Sequence, residues 1–227
     1  MKGPVNSCAA LRGPLPMQNL RRIFAFIFTL CGVATALADQ FPSGMTMVDV
    51  PAPKGFVLVT DEMPLVKRFM DQMVDPMNDT LAIYISEQVA RQALKGDMPE
   101  LERYFILKVN RNVRNKTVGA DEFSDLKTSL KKQNRKFLEE AKKKMPGYFE
   151  KTAEGIHKEF QVKMDLEVAS MVPFDPHTET DNSMAYSMLM GVGVTTEGVR
   201  EVTTMACTAT FVNPAGALLY LISNRLR

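Results

Sequence analysis

The sequence predicts an α+β fold: an antiparallel sheet ending in a C-terminal meander, with helices packed on it. Three observations carry this. Apolar residues recur at helical spacing between residues 61 and 160, period-two alternation takes over from Gln161, and short turns join the alternating segments.

In chain order, residues 45–50 are extended in character, 51–55 break them, and 56–60 read as a short strand. Asp61 is the expected N-cap of a first helix whose apolar face is Val66, Phe69, Met70, Met73 and Val74; Asp75-Pro76 stops it. Residues 81–85 form a second strand, 87–95 a short helix closed by Gly96, and 103–110 another strand. The longest helix spans 119–145. Phe123, Leu126, Leu130, Phe137, Leu138, Ala141 and Met145 form its stripe, acids open it, and Lys142, Lys143 and Lys144 close it, as the helix dipole favours. Pro146-Gly147 is expected to end or kink it before 148–160 resume.

Beyond Gln161, Val162, Met164, Leu166 and Val168 alternate with Lys163, Asp165 and Glu167, the pattern of a half-buried strand. Residues 173–182 read as a loop. The next strand, 183–195, carries Met184, Tyr186, Met188, Met190, Val192 and Val194 on one face. A turn at 196–198, a strand at 200–212, a turn at 213–216 and a last strand at 217–222 complete the meander. No covering helix follows, so a C-terminal helix is read as lacking.

The first 38 residues differ in kind. Lys2, Arg12, Arg21 and Arg22 are basic, no acid precedes Asp39, and the apolar run 23–38 ends in Ala36-Leu37-Ala38. A basic start, an apolar stretch of about 7–15 residues and a small-x-small end make a secretory signal peptide. Residues 1–38 are therefore expected to be removed, leaving 39–227 as a single soluble domain, periplasmic or secreted. Met17 opens a compact leader by itself and is the expected start. One alternative is an uncleaved N-terminal anchor, although the run falls short of the ~20 apolar residues a span needs. Another is a lipoprotein at Cys31, which the preceding Leu30 disfavours.

Removing the leader's four basic residues from the chain's 28 leaves 24 Lys plus Arg against 26 Asp plus Glu, which weighs against nucleic acid as a partner. Cys207 is the one cysteine beyond the leader. Alternation puts it beside Met205, Ala209 and Phe211, a buried and unreactive setting. No phosphate loop, nucleophile elbow or His-Glu-x-x-His pair occurs. Gly191-Val192-Gly193 lacks the third glycine of a dinucleotide site, so no cofactor is expected.

One loop groups residues that carry chemistry. Asp175, His177, Glu179 and Asp181 alternate, and in an extended loop all four would point to one side, where imidazole and carboxylates could hold a divalent cation. A hydrophilic connection between strands is the plainer reading. Met188 and Met190 share a strand face, and thioethers suit Cu(I), but Tyr186 and Val192 beside them favour core packing. Eight basic residues lie from Lys127 to Lys144, among them Lys131, Lys132, Arg135 and Lys142. They read as a solvated face, with peripheral contact to anionic lipid or an acidic partner as the alternative.

Pro53-Lys54-Gly55-Phe56, a turn into a strand, followed by a helix, short strands and a long antiparallel sheet, resembles the PsbP-like α/β/α sandwich. That fold is shared by extrinsic photosystem II proteins and several exported bacterial proteins. The resemblance spans most of 45–222 and implies a binding or assembly module; it transfers no functional residue. The long charged helix after Gly119 and the lacking final helix depart from it. The expected function is an exported, non-enzymatic binding or assembly protein with a protein partner in the cell envelope. The alternative is a metal-binding protein or hydrolase using the 175–181 loop.

Overall fold

The period-two signal after Gln161 becomes the larger part of one antiparallel sheet. The computed structural model describes residues 38–43, 46–73 and 75–226. The leader up to residue 37, Met45 and Val74 lie outside these residues, as do the side chains of Arg135, Phe137, Leu138 and Ala141.

Strands β1 (Ala38–Ser43) and β2 (Thr46–Pro51) pair as a hairpin. Then come β3 (Phe56–Leu58), α1 (Pro64–Asp71), β4 (Asn78–Ser86), α2 (Glu87–Ala93), β5 (Arg103–Asn110) and α3 (Ala120–Phe160). The chain continues through β6 (Met164–Pro173), β7 (Thr178–Glu179), β8 (Ser183–Thr196), β9 (Val199–Val212) and β10 (Leu219–Leu226). Eight strands form the main sheet in the order β3-β4-β5-β10-β9-β8-β6, with β7 on β8. The fold is α+β, and β8, β9 and β10 are the expected meander. Glu197 and Gly198 both take positive φ, the conformation of a two-residue hairpin turn that matches strand twist.

Register decides which side chains share a face. Ile106 faces Ile222, Phe211 faces Tyr220 and Met184 faces Phe211 across successive strands, so one face runs the width of the sheet. The three helices pack there. Val66 and Met70 of α1 and Ala90 and Ala93 of α2 bury against Ile85, Tyr104 and Ile106. Phe123 of α3 is fully buried against Phe211 and Leu218, with Leu126, Leu130, Tyr186 and Tyr220 around it. On the opposite face Phe41 and Val48 of the hairpin cover Tyr84, Phe105, Leu107 and Leu219.

Three expectations change and one is narrowed. Asp61 does not cap α1: Met63 is the N-cap, Pro64 takes the first turn, and Asp61 pairs with Lys67 at 3.3 Å. Of the two outcomes expected at Pro146, an end does not occur: residues 148–160 are helical, in one element with 120–145, and buried Thr152, Ala153 and Ile156 anchor this second half. The loop after β6 contains β7, held to β8 by Thr178↔Ala185 and Glu179↔Met184. Lys127 is not on the solvated face; it is 8% exposed. No helix among the described residues is long and apolar enough to cross a membrane.

Candidate functional site

The 175–181 segment splits its four residues between different surroundings. Glu179 pairs with Met184 in register and points towards α3, where Lys131 Nζ donates to both carboxylate oxygens at 2.9 and 3.1 Å. These hydrogen bonds hold the Glu179 carboxyl below its ordinary range. His177 turns away from Glu179: its Nε2 lies 2.9 Å from Ser187 Oγ, which in turn lies 2.7 Å from Thr208 Oγ1. Its Nδ1 meets Thr178 Oγ1 at 3.1 Å, so a hydroxyl, not a carboxylate, orients the ring. Asp175 and Asp181 are exposed. Among the described residues no three His, Cys, Asp or Glu side chains converge on a metal position.

The basic residues of α3 are likewise unequal. Lys127 Nζ donates to Thr180 O at 2.7 Å and sits 5.5 Å from the centre of the Phe123 ring. It lies four residues after Phe123, on the apolar stripe, and that spacing is the sequence signal for its burial. Lys131 is occupied by Glu179, Lys142 lies 3.7 Å from Glu139, and Lys132 is exposed. Cys207 is half-buried, and burial pushes its thiol up to about 11. Met190 is buried and Met188 half-buried on the helix-covered face.

A second polar cluster had no sequence motif to announce it. Lys108 Nζ donates to Asp75 Oδ2 at 2.8 Å, with both side chains nearly buried. Asn78 bonds the same carboxylate, and Arg111 and Arg114 clasp Asp79 at 2.7 and 3.0 Å. Burial pushes the Asp75 carboxyl up, but hydrogen bonds from Lys108 and Asn78 outweigh it and hold the group below its usual range. Burial and then the charge of Asp75 push the Tyr148 phenol up. The cluster borders a cleft of about 470 Å³, yet its charges satisfy one another.

A larger groove, of about 760 Å³, lies between the second half of α3 and β6. Nine consecutive residues, Lys163 to Met171, line it, together with Pro146, Glu150, Ala153 and Glu154. Met164, Leu166 and Val168 are half-buried and alternate with exposed Asp165, Glu167 and Ala169. The paired glycines of β8 shape this edge. A Cβ on Gly193 would meet Glu167 Cγ at 2.7 Å, and one on Gly191 would meet Ser170 Oγ at 2.6 Å. Their absence lets Glu167 lean inward across β8 to Arg200 of β9, 2.6 Å away.

The chain matches no known family model, no curated protein and no solved structure. The groove offers an apolar floor with a charged rim, the Asp75 cluster a self-paired network, and the His177–Ser187 contact an imidazole on a hydroxyl.

Proposed function

We propose that the protein is an exported, non-enzymatic binding or assembly module of the cell envelope. The observation that carries this reading is the groove between α3 and β6: long, open and apolar along one strand, it suits a macromolecular ligand. The basic start, apolar run and Ala36-Leu37-Ala38 end of residues 1–38 supply the address. The PsbP-like likeness points the same way. The described helices share one face, however, whereas that sandwich implies cover on both, so the reading leans on the groove. Peripheral contact with anionic lipid through Lys131, Lys132, Arg135 and Lys142 belongs to the same proposal and is read by vesicle co-sedimentation.

Two measurements test it. N-terminal sequencing of the protein recovered from the envelope is expected to begin at Asp39; an intact 23–38 segment retained in membranes would favour an anchor. A pull-down from envelope extract is expected to retain a protein partner, and recovery of none sinks the binding reading.

A second reading is favoured by one distance, the 2.9 Å between His177 Nε2 and Ser187 Oγ, which is the reach of a base on a nucleophile. It makes the 175–181 loop part of a hydrolase, or of a metal site if Asp175 and Asp181 swing inward. Ester turnover lost in both Ser187→Ala and His177→Ala would decide for the hydrolase. A zinc titration without heat or a change in melting temperature removes the metal form.

A further inference from the structure

We propose that the outer edge of β6 accepts an extended segment of a partner protein as an added β-strand, with apolar side chains entering the groove under α3 and basic ones on the other side. This deepens the binding-module reading and rests on it. The groove is lined by every residue from Lys163 to Met171, hence by residues of both strand faces. A cavity running along the edge of a strand meets consecutive residues in this way, and β6 is the last strand of the sheet. On its other side β6 pairs with β8, and among the described residues nothing pairs with its outer edge. Such an edge presents unpaired N–H and C=O groups to any chain that lies beside it.

Edges are usually guarded, and β6 carries a bulge and a proline only in its second half. The register shifts between Val168 and Ser170, a bulge, and Pro173 closes the strand. Met164 to Val168 carries neither device. Glu167 is drawn inward over Gly193 to Arg200, which leaves Asp165 as the charge within this stretch.

The chemistry of the occupant follows from the two faces. An added strand lies about 4.8 Å from β6 and alternates with it. Its side chains on the helix side would fall beside half-buried Met164, Leu166 and Val168, opposite Pro146 and Ala153, and must be apolar. Those on the other side fall beside exposed Asp165, whereas Glu150 and Glu154 stand on the helix rim, on the apolar side of the added strand. Lys163 and Lys142 are the opposing charges at the groove, and Lys142 already has Glu139. Glu167 on that face is already paired with Arg200, so Asp165 is the charge that favours lysine or arginine beside it.

The test pans a random decapeptide phage library against the purified protein and measures the enriched peptides by fluorescence anisotropy. Enrichment of alternating apolar and basic residues without central proline is expected. Methylating backbone nitrogens of the best peptide should weaken it about tenfold or more, since a lost ladder bond in a desolvated groove is worth about one decade. Asp165→Lys, at an exposed position, should weaken the basic peptide while leaving the melting temperature unchanged; Leu166→Arg should abolish binding. No enrichment, acidic or non-alternating winners, or indifference to N-methylation would each overturn the proposal. So would a dimer in sedimentation that dissociates on Leu166→Arg, because a second copy would then hold the edge. An envelope partner captured equally by wild type and Leu166→Arg would overturn strand addition and leave the binding-module reading standing.

Discussion

Lys127 and Lys132 belong to the same basic run, yet their surroundings separate them. Lys127 is enclosed, with its ammonium on the Thr180 carbonyl, whereas Lys132 is exposed. Lys127→Ala removes a charge-assisted hydrogen bond to the Thr180 carbonyl and should cost about 1.5–3 kcal/mol in urea unfolding. Lys132→Ala should stay within about 0.5 kcal/mol; equal costs would mean Lys127 is not enclosed. The spacing from Phe123 made this legible, but a count of charges hides it. The Asp75–Lys108 pair was not legible at all, because its members are 33 residues apart and come together only through the register of β4 and β5. Breaking a nearly buried pair by Asp75→Ala should cost about 3–5 kcal/mol near neutral pH. The Asp75 carboxyl is held low in the folded state, so its contribution is full above the unfolded value of about 3.9 and is lost as pH falls through the folded value. The stability gap between wild type and Asp75→Ala should accordingly narrow in acid. A gap constant down to pH 2 would show that the carboxylate is not the stabilising form.

At the scale of elements, most strands could be read because their alternation is local, and β8 shows its expected face intact: Met184, Tyr186, Met188 and Met190 lie towards the helices. At Pro146 local chemistry allows helix α3 either to end or to kink and resume, and it does not end. Proline removes one helical hydrogen bond and clashes with the preceding turn, at about 3 kcal/mol relative to alanine in a helix interior. The helix persists because burial of Thr152, Ala153 and Ile156 and the approach of Tyr148 to Asp75 hold its second half against the sheet. A close passage at Gly155 adds to this, since a Cβ there would meet Gln72 of the α1 end at 2.6 Å. Pro146→Ala should therefore raise the melting temperature, by up to the equivalent of about 3 kcal/mol. A fall would mean that the ring's packing at the groove outweighs the backbone defect. The candidate site was legible only in part: the β6 alternation was plain, but that β6 is an edge, and that Gly191 and Gly193 clear it, depends on strand order.

For the whole molecule, the order of strands is what sequence alone could not supply. The turns at 197–198 and 214–216 tie β8, β9 and β10 into neighbours. Nothing local says that β10 also pairs with β5, from Leu219↔Val109 to Arg225↔Arg103. That pairing makes the last strand an interior one. On one side of it lie β3, β4 and β5, on the other β9, β8 and β6, and the ladders on its two sides join them. Its side chains serve both faces: Leu219 is fully buried with Tyr84 and Leu107 on one, and Tyr220 packs on Phe211 at 4.8 Å on the other. A chain ending at Leu218 would leave two half-sheets, each with a new interior edge and an uncovered apolar face. It should lose the cooperative thermal transition followed by circular dichroism, and aggregate on concentration. Trimming only Arg227 should leave the transition in place, since the β10 ladder with β9 ends at Leu226. A truncated chain that still melted cooperatively near the wild-type temperature would mean that β10 does not join the two halves, and the strand order would have to be redrawn.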